Sequence, residues 1–216
     1  MKNRMEFFSR TVAFFLILIL TPLLLLIIIF SIILQGNPVL FKQKRVGKNF
    51  KIFCIYKFRT MVNNSSGGNI TYGDDVRITT WGKFLRSYKI DELPQLFNIL
   101  KGEMRFIGPR PEVKEYVDKN SFSFLLSIKP GLSDYASILF RNEEKILEKS
   151  NKIDPYKNVL EIKTSLANYY VEKKGFFEDL RLVFLTLFSI FSKNIAVNYI
   201  YKNILTKEQI LSLIHI

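Results

Sequence analysis

The stretch VAFFLILILTPLLLLIIIFSIIL at residues 12–34 determines how this chain relates to a membrane. It is apolar except for Thr21, Pro22 and Ser31, and about 20 apolar residues in a helix are enough to cross a bilayer. Basic residues flank both of its ends, at positions 2, 4 and 10 and again at positions 42, 44, 45, 48 and 51. Because positive residues prefer the cytoplasmic side, this arrangement disfavours either orientation of a simple span.

Pro22 divides the stretch into two legs, because proline lacks a backbone N–H and clashes with the carbonyl one turn earlier. Each leg of about 10–12 residues would be about 15–18 Å long, close to half of a bilayer core. The hydroxyl of Thr21 can bond a backbone group that Pro22 frees. We therefore predict that residues 1–36 form a re-entrant membrane helix hairpin with its bend at Thr21-Pro22. An ordinary kinked anchor and an uncleaved signal sequence remain the alternatives.

The composition indicates anionic partners. The 216 residues include 32 Lys and Arg against 19 Asp and Glu, which gives a net charge of +13. Beside a membrane segment, this charge predicts contact with anionic lipids, and then with an anionic substrate such as a nucleotide or a lipid phosphate. We expect no nucleic-acid partner, since no reading element is recognisable. With one cysteine, Cys54, and one histidine, His215, acid–base or nucleophilic work falls to the carboxylates.

Secondary-structure patterns predict an α+β, mainly helical fold. Residues 39–47 and 50–58 read as a small β-hairpin with its turn at Gly47-Lys48-Asn49. Five segments read as helices: residues 79–87, 90–102, 143–151, 155–174 and 176–192. The last of them is apolar and could either lie in the membrane interface or be buried against the domain. Residues 63–75 are polar and glycine-rich and predict a loop, either a lid over a site or a plain solvent loop.

The helix at residues 90–102 is predicted in most detail. Asp91 suits its N-cap, Pro94 its first turn, and Gly102 its C′ position. Four apolar residues have the spacing of a single helix face: Leu93, Leu96, Phe97 and Leu100. We expect residues 37–200 to form the catalytic domain and residues 201–216 a tail. We hypothesise that LSLIHI at residues 211–216, which matches a translated transposase adapter, is a sequencing or assembly scar.

Asp91 and Glu92 form the most informative acidic pair. Unpaired N–H groups and the positive end of the helix dipole converge at a helix start, where they can hold a carboxylate ionised and receive a phosphate. Such an Asp can attack phosphorus while its neighbour binds a metal ion or a proton. The alternative is that Asp91 only caps the helix and Glu92 only complements its dipole.

Two basic features could bind phosphate. Seven cations and no acid lie between residues 42 and 59, including Arg45, Lys57 and Arg59, and they suit either lipid headgroups or a bound phosphate. In Gly108-Pro109-Arg110-Pro111, two prolines stiffen the turn, so that Arg110 would lose little entropy on binding a phosphate. The alternative is a rigid connector with a surface arginine.

Three blocks together resemble bacterial sugar transferases: KQKRVGKNFKIFCIYKFRTM at 42–61, TTWGKFLRSYKIDELPQLFNILKGEMRFIGPRP at 79–111, and KPGL at 129–132. More specifically, the chain resembles the small monotopic phosphoglycosyl transferases. The resemblance implies transfer of a sugar-1-phosphate from a UDP-sugar to undecaprenyl phosphate, with release of UMP and with Mg²⁺ as cofactor. It implies an enzyme of the bacterial inner membrane whose catalytic core faces the cytoplasm.

The resemblance also implies roles for individual residues. Asp91 would be the nucleophile that forms an aspartyl-phosphosugar intermediate, and Glu92 would place Mg²⁺ or assist the acceptor. Arg86 would lie near the phosphates and the metal, and Pro109, Arg110 and Pro111 would bind the nucleotide. Thr21-Pro22 would match the bend of the family's broken N-terminal helix.

Two departures from the family pattern make the sugar unsafe to infer. They are Arg105, where relatives often have a small polar residue, and residues 132–137, where many have a Thr-Gly segment. Two other hypotheses stay open. One is a membrane-tethered basic binding module without catalysis, and the other is an enzyme whose N-terminal helix truly spans the membrane.

Overall fold

The protein is described here from a computed structural model that covers residues 2–63, 71, 73, 75–141, 143–149 and 155–206. The glycine-rich stretch at 63–75 therefore lies mostly outside the described residues. The same holds for residues 207–216, which include His215 and the hypothesised scar.

The described chain is mainly helical with two small sheets, which confirms the predicted fold class. The helices are α1 (Lys2–Gln35), α2 (Thr80–Ser87), α3 (Leu96–Lys101), α4 (Lys119–Phe122), α5 (Tyr135–Leu139), α6 (Glu143–Lys149), α7 (Pro155–Lys173), α8 (Phe176–Phe191) and α9 (Lys193–Asn203). The strands are β1 (Leu40–Val46), β2 (Ile52–Phe58), β3 (Arg105–Ile107) and β4 (Gly131–Ser133). β1 and β2 pair antiparallel, and β3 and β4 pair parallel.

Helix α1 runs through Thr21 and Pro22 as one helical segment. The hydroxyl of Thr21 donates to the carbonyl of Ile17 at 2.8 Å, rather than to the Leu18 carbonyl that Pro22 frees, so that detail of the prediction was wrong. Within the described residues, Glu6–Gln35 is long and apolar enough to cross a membrane. Length and composition thus permit a span, and the packing of α1 must decide between a span and a hairpin.

Both legs of α1 pack on the same domain. Ala13 in the first leg is buried in a cluster with residues of β2 and α3. Leu24 and Ile27 in the second leg are buried in a cluster with Phe58 of β2 and Leu85 of α2. The rest of the helix surface is apolar and exposed along both legs. One face of α1 is therefore part of the core, and the other is free to meet lipid.

Polar contacts tie both ends of α1 to the domain as well. Glu6 forms an ion pair with Lys129 at 2.8 Å, and the Nε of Arg10 donates to the Leu100 carbonyl at 2.8 Å. At the other end, the amide of Gln35 donates to the Arg59 carbonyl at 3.2 Å. The two ends of the apolar helix are thus held by the same body.

The β-hairpin has the predicted pairing, from Leu40 opposite Phe58 to Val46 opposite Ile52. Its turn lies at Lys48–Phe50, where Asn49 and Phe50 have left-handed φ values of 53° and 60°. The prediction that Phe50 begins the second strand was therefore wrong. The left-handed conformation of two successive residues turns the chain one position later than the glycine suggested.

The helix predicted at residues 90–102 consists of a 3₁₀ segment at Ile90–Gln95 followed by α3. Lys89, with φ of 59°, is the N-cap, and Asp91 lies inside the first turn, so the predicted cap was wrong. Because a 3₁₀ turn has 3.0 residues rather than 3.6, the apolar face shifts phase along the segment. Ile99 is therefore buried, and Phe97 is exposed. Gly102 ends α3 with φ of 80°, as predicted.

Helix α8 confirms the predicted helix at residues 176–192, and two acidic residues fix its orientation. Asp179 accepts from the Tyr170 hydroxyl and pairs with Arg105 at 3.0 Å, and Glu178 accepts from the Tyr135 hydroxyl. These contacts leave Phe184 and other apolar residues of α8 exposed. The unusual arginine at position 105 thus anchors this helix.

Candidate functional site

One cavity of about 1380 Å³ brings together residues that are far apart in the sequence. Its lining includes most of the predicted site residues: Arg45, Lys57, Arg59, Arg86, Asp91, Glu92, Pro109 and Arg110. Pro111 does not line the cavity but adjoins it through the turn, and Thr21 and Pro22 lie apart from it in α1. Residues from both ends of the sequence block at 79–111 therefore line the same cavity.

Asp91 occupies an unusual position in this cavity. It is 6% exposed, and its Oδ1 is buried with no hydrogen-bond partner among the described residues. Burial raises the pKa of Asp91, and the positive charge of Lys57 opposes that effect. A buried carboxylate oxygen without a donor is costly and therefore needs a reason. Because Oδ1 accepts no hydrogen bond, its lone pairs can attack an electrophile or bind a cation.

Glu92 differs sharply from its neighbour. The guanidinium of Arg110 contacts both of its oxygens, with Nη1 at 3.2 Å from Oε2 and Nη2 at 2.5 Å from Oε1. The ammonium of Lys57 lies 3.1 Å from Oε1. Burial alone would raise the pKa of Glu92, but Arg110 and Lys57 together hold it well below its usual range. Glu92 is thus held ionised, and it orients two cations at the edge of the cavity.

The turn that carries Arg110 is fixed by the backbone. Arg110 donates its N–H to Oδ2 of Asp134 at 3.0 Å, and Gly131 donates its N–H to the Pro109 carbonyl at 2.9 Å. A Cβ atom on Gly131 would lie 2.1 Å from the nitrogen of Gly108, so only glycine permits this approach. The contact explains why the motif at 129–132 accompanies the Gly-Pro-Arg-Pro turn in the sequence.

Arg45 braces the same turn from β1. Its Nη1 donates to the Pro111 carbonyl at 3.2 Å and to Oε2 of Glu112 at 3.3 Å. Glu112 is buried and also accepts from the Tyr156 hydroxyl at 3.0 Å. Burial lowers the pKa of Arg45, while Glu112 acts against that effect. Arg45 therefore positions the turn, and the predicted contact with substrate finds no support in its present bonds.

Arg59 serves the end of α1. Its guanidinium donates to the carbonyls of Pro38, Gln35 and Gly36 at 2.6–2.7 Å, and to that of Met61 at 3.3 Å. The carbonyls of Gln35 and Gly36 lie at the C-terminal end of α1, where a helix leaves its last C=O groups without partners. The arrangement gives Arg59 a structural role and no support for the predicted substrate contact.

Arg86 projects from α2 toward the cavity. Its Nε donates to the hydroxyl of Thr60 at 3.1 Å, and its Nη1 forms an ion pair with Glu144 of α6. Desolvation raises the pKa of Glu144, and Arg86 opposes the change. Arg86 is thus close to the cavity, as the resemblance implied, but it is paired with a carboxylate that the sequence did not indicate.

Sequence reasoning missed several residues of this cavity. Glu112 and Glu144 each pair with an arginine, and Asp134 accepts from the Arg110 N–H. Lys89 directly precedes the 3₁₀ segment that carries Asp91 and Glu92. Asp134 could have been found, because the Asp-x-x-Ser pattern at 134–137 is a capping-box signal that the structure confirms. Glu112 and Glu144 carry no local signal, since their partners come from distant elements.

The predicted Mg²⁺ ligands fit a metal only in part. No group of three or more metal-binding side chains occurs among the residues that the structure describes. Mg²⁺ is commonly held by one or two carboxylates together with water and substrate phosphates. Asp91 suits that role, because its Oδ1 is unengaged. Both oxygens of Glu92 already accept from Arg110, so a metal bound there would have to displace an ion pair.

Comparison with known proteins identifies the family of this chain. Residues 2–193 match the family described as bacterial sugar transferase. The chain belongs to the bacterial sugar transferase family. Membership of this family favours an enzyme over the non-catalytic binding module, and it confirms the resemblance seen in the three sequence blocks.

Three relatives illustrate the bacterial sugar transferase relationship. A UDP-N-acetylgalactosamine-undecaprenyl-phosphate N-acetylgalactosaminephosphotransferase of Aeromonas hydrophila is 37% identical over 64% of this chain and 34% of its own length. The uncharacterized sugar transferase EpsL of Bacillus subtilis is 36% identical over 70% of this chain and 69% of its own. A UDP-glucose:undecaprenyl-phosphate glucose-1-phosphate transferase of Klebsiella pneumoniae is 33% identical over 72% and 33%. The chain thus spans about a third of the length of two of these relatives.

Proposed function

We propose that this protein transfers a sugar-1-phosphate from a UDP-sugar to undecaprenyl phosphate and releases UMP. This reaction would be the first membrane step in the assembly of a glycan, such as an O-antigen, a capsule, an exopolysaccharide or a glycoprotein glycan. The observation that carries the proposal is the unengaged, buried oxygen of Asp91 in a cavity lined by cations beside an apolar helix. The printed names of the relatives indicate the same donor and acceptor classes.

In the first step, an oxygen of Asp91 forms a bond to the sugar-bearing phosphorus of the donor. The bond from that phosphorus to the bridging oxygen breaks, and UMP leaves with the electron pair. The guanidinium groups of Arg86 and Arg110 lie in the cavity where they can stabilise charge on the phosphate oxygens. The product is an aspartyl-phosphosugar, and splitting the transfer in this way means that donor and acceptor need not be bound together.

In the second step, a phosphate oxygen of the lipid attacks the same phosphorus. The bond to Asp91 breaks, and the carboxylate is restored. Glu92 keeps Arg110 and Lys57 fixed during both steps, because it is held ionised by those two cations. Its separate role in placing a metal or assisting the acceptor is secondary to this electrostatic one in our proposal.

We propose Mg²⁺ as the cofactor, held by Asp91 together with phosphate oxygens of the donor. When bound, Mg²⁺ supplies positive charge that neutralises the donor diphosphate and so reduces its repulsion of an anionic nucleophile. Arg86 and Lys57 supply protein charge toward the same region.

We propose that α1 is re-entrant, with a bend at Thr21-Pro22, and that the catalytic domain lies on the cytoplasmic face of the bacterial inner membrane. The support is that both ends of α1, at Glu6 and at Gln35, are bonded to one domain. A spanning helix would carry one end to the far side of the bilayer, away from that domain. The exposed apolar face of α8 would lie in the interface, and the excess of basic residues would contact anionic lipids.

The central experiment measures UMP release by purified protein supplied with Mg²⁺, a panel of UDP-sugars and undecaprenyl phosphate. We expect Asp91→Asn to abolish UMP release while membrane association persists. Asp118→Asn is the matched control, because Asp118 is an exposed helix cap that does not line the cavity. Turnover by Asp91→Asn at the wild-type rate would remove Asp91 as the nucleophile.

Two further measurements address the intermediate and the topology. Incubation with donor alone should add the mass of a phosphosugar to the peptide that contains Asp91; wild-type protein with full turnover and no adduct would contradict the covalent route. In a Cys54→Ser background, a cysteine introduced by Asn3→Cys should react with a membrane-impermeant thiol reagent only from the cytoplasmic side. Labelling from outside the cell would support a spanning helix.

A further inference from the structure

Four aromatic rings form a ladder from the membrane helix to the cavity. Phe30 of α1 lies 5.9 Å from Trp81 of α2, centroid to centroid, and Trp81 stacks on Phe84 at 5.2 Å with an interplanar angle of 17°. Phe84 lies 5.2 Å from Tyr88, the residue that follows α2. The indole N–H of Trp81 donates to the hydroxyl of Ser31 at 2.9 Å, which fixes the base of the ladder on α1.

The ladder is exposed although it is aromatic. Phe84 is 45% exposed and Tyr88 is 66% exposed, while Leu85 on the opposite side of α2 is fully buried. Side chains at positions 81, 84 and 88 lie on one face of a helix because of their spacing. An unpartnered aromatic stripe of this kind marks a binding surface for an apolar group.

The two ends of the ladder differ in charge. Phe30 belongs to the exposed apolar surface of α1, whereas Tyr88 lines the cavity that contains Asp91. The next residue, Lys89, also lines the cavity, is exposed, and has no ion-pair partner among the described residues. The other cavity cations that we have assigned to the reaction, Lys57, Arg86 and Arg110, each pair with a carboxylate. An apolar track thus leads to an ammonium that forms no ion pair among the described residues and whose charge acts on Asp91.

We propose that this ladder and Lys89 form the binding site of the isoprenoid phosphate acceptor. The first isoprene units would lie on the exposed faces of Trp81, Phe84 and Tyr88, and Lys89 would pair with the phosphate. The inference rests on the proposed function for the chemical class of the acceptor. A hydrocarbon chain that ends in a phosphate matches an apolar track that ends at an exposed lysine.

The competing explanation is that the ladder only seats the protein in the membrane interface, where aromatic residues are common. Phe184 of α8 provides the matched comparison. It is 52% exposed, against 45% for Phe84, but it does not line the cavity and has no ring contact with another aromatic residue among the described residues. If both helices only seat the protein, then Phe84→Ala and Phe184→Ala will have the same effect.

Trp81 is the sole tryptophan of the chain, so its emission reports on the ladder directly. Full-length protein in detergent micelles is titrated with undecaprenyl phosphate, with undecaprenol, and with phosphatidylglycerol at equal mole fractions. We expect a saturable change of Trp81 emission with undecaprenyl phosphate, binding of undecaprenol weaker by about fivefold, and no saturable change with phosphatidylglycerol. An equal response to all three would overturn the proposal in favour of a general lipid surface.

The variants are compared by dissociation constant rather than by amplitude, because Phe84 touches the reporter. We expect Phe84→Ala to weaken binding of undecaprenyl phosphate by about fivefold, and Phe84→Tyr, which keeps the ring, to restore it. Phe184→Ala should leave the constant unchanged. Equal weakening by Phe84→Ala and Phe184→Ala, or no weakening by Phe84→Ala, contradicts the site.

Lys89 is tested with two substitutions, because its backbone has φ of 59°. Lys89→Gly removes the charge and relieves the backbone, and Lys89→Arg keeps the charge. We expect Lys89→Gly to weaken undecaprenyl phosphate by about fivefold but not undecaprenol, and Lys89→Arg to bind like wild type. Wild-type affinity in Lys89→Gly would exclude the charge contact.

Binding and turnover separate this inference from the proposed function. Ladder-dependent binding without UMP release would support the acceptor site and contradict the function. UMP release with binding that is insensitive to Phe84→Ala and Lys89→Gly would support the function and contradict the site.

Discussion

Gly82 of α2 offers the sharpest test of how the cavity is built. A Cβ atom at this position would lie 2.0 Å from the carbonyl oxygen of Thr60 and 2.7 Å from its carbonyl carbon. Real Cβ atoms essentially never approach another heavy atom within 3.0 Å, and both groups in this contact are backbone. Gly82→Ala must therefore push α2 away from the Thr60 segment by about 1 Å.

Two effects of opposite sign determine the stability of this variant. Alanine is favoured over glycine inside a helix by about 1 kcal/mol. Overpacking costs about 1–3 kcal/mol, and the displacement also strains the bonds of Thr60 with the Thr79 N–H at 3.0 Å and with Nε of Arg86 at 3.1 Å, each worth about 1 kcal/mol. We expect a net loss of about 1–3 kcal/mol, or about 2–10 °C in the thermal midpoint. Because Arg86 moves with α2, we also expect UMP release to fall by about 100-fold.

The assay pairs thermal unfolding, followed by circular dichroism in detergent micelles, with UMP release. Gly175→Ala is the control, since the nearest atom to a Cβ there is the Lys173 carbonyl oxygen at 3.9 Å. Gly175 is the N-cap of α8, where alanine is less favourable than glycine, so that variant should keep wild-type turnover and lose only about 0.5 kcal/mol of stability. An unchanged or higher midpoint for Gly82→Ala, together with full turnover, would refute the close approach of α2 to Thr60 and the positioning of Arg86 that depends on it.

Three further predictions concern the charges of the cavity. Asp91→Asn should raise the thermal midpoint near pH 8, because it removes a buried carboxylate whose Oδ1 has no hydrogen-bond partner among the described residues. Burial raises the folded-state pKa of Asp91, so the wild type gains stability as the pH falls through that pKa. The thermal midpoints of wild type and Asp91→Asn, measured across pH, should therefore converge in acid. Lys57→Met should move the acid limb of the pH–rate profile to higher pH, because Lys57 lowers the pKa that burial of Asp91 raises; a limb that stays in place would exclude Asp91 as its source. Glu144→Gln should lower the KM for UDP-sugar because it frees Arg86 to meet the phosphates, and an unchanged KM would show that Arg86 does not meet them.

Local patterns in the sequence predicted much of the fold. The pairing of β1 with β2, the C-terminal end of α3 at Gly102 and the helices α6 to α8 follow from periodicity and from turn residues, which act over a few positions. The phase of the segment before α3 could not be predicted in this way. This segment is a 3₁₀ helix that contains Pro94, and its N-cap is Lys89 rather than Asp91. Both features depend on the packing around the segment and not on its local sequence.

The candidate site shows the same division. Asp91, Glu92, Arg86 and Arg110 could be located from motif and resemblance, and they do meet in one cavity. The carboxylates that pair with the cations could not be located, because Glu112 and Glu144 lie more than 55 positions from the arginines that they bind. The bonds of Arg45 with Gln43 and Glu112, and those of Arg59 with backbone carbonyls, could not be predicted from the sequence either, and a contact of these two arginines with phosphate stays a prediction.

The dual attachment of α1 has a consequence for how this protein can be handled and how it can evolve. Ala13, Leu24 and Ile27 fill the same clusters as Ile55, Phe58 and Leu85, so the apolar helix α1 is a layer of the domain rather than a tether. Removing residues 1–36 would therefore expose the apolar surfaces of the β-hairpin, α2 and α3 that α1 covers, including Ile55, Phe58 and Leu85. A water-soluble version of this transferase therefore requires polar substitutions on the surface that α1 covers, and deletion of α1 alone is not enough.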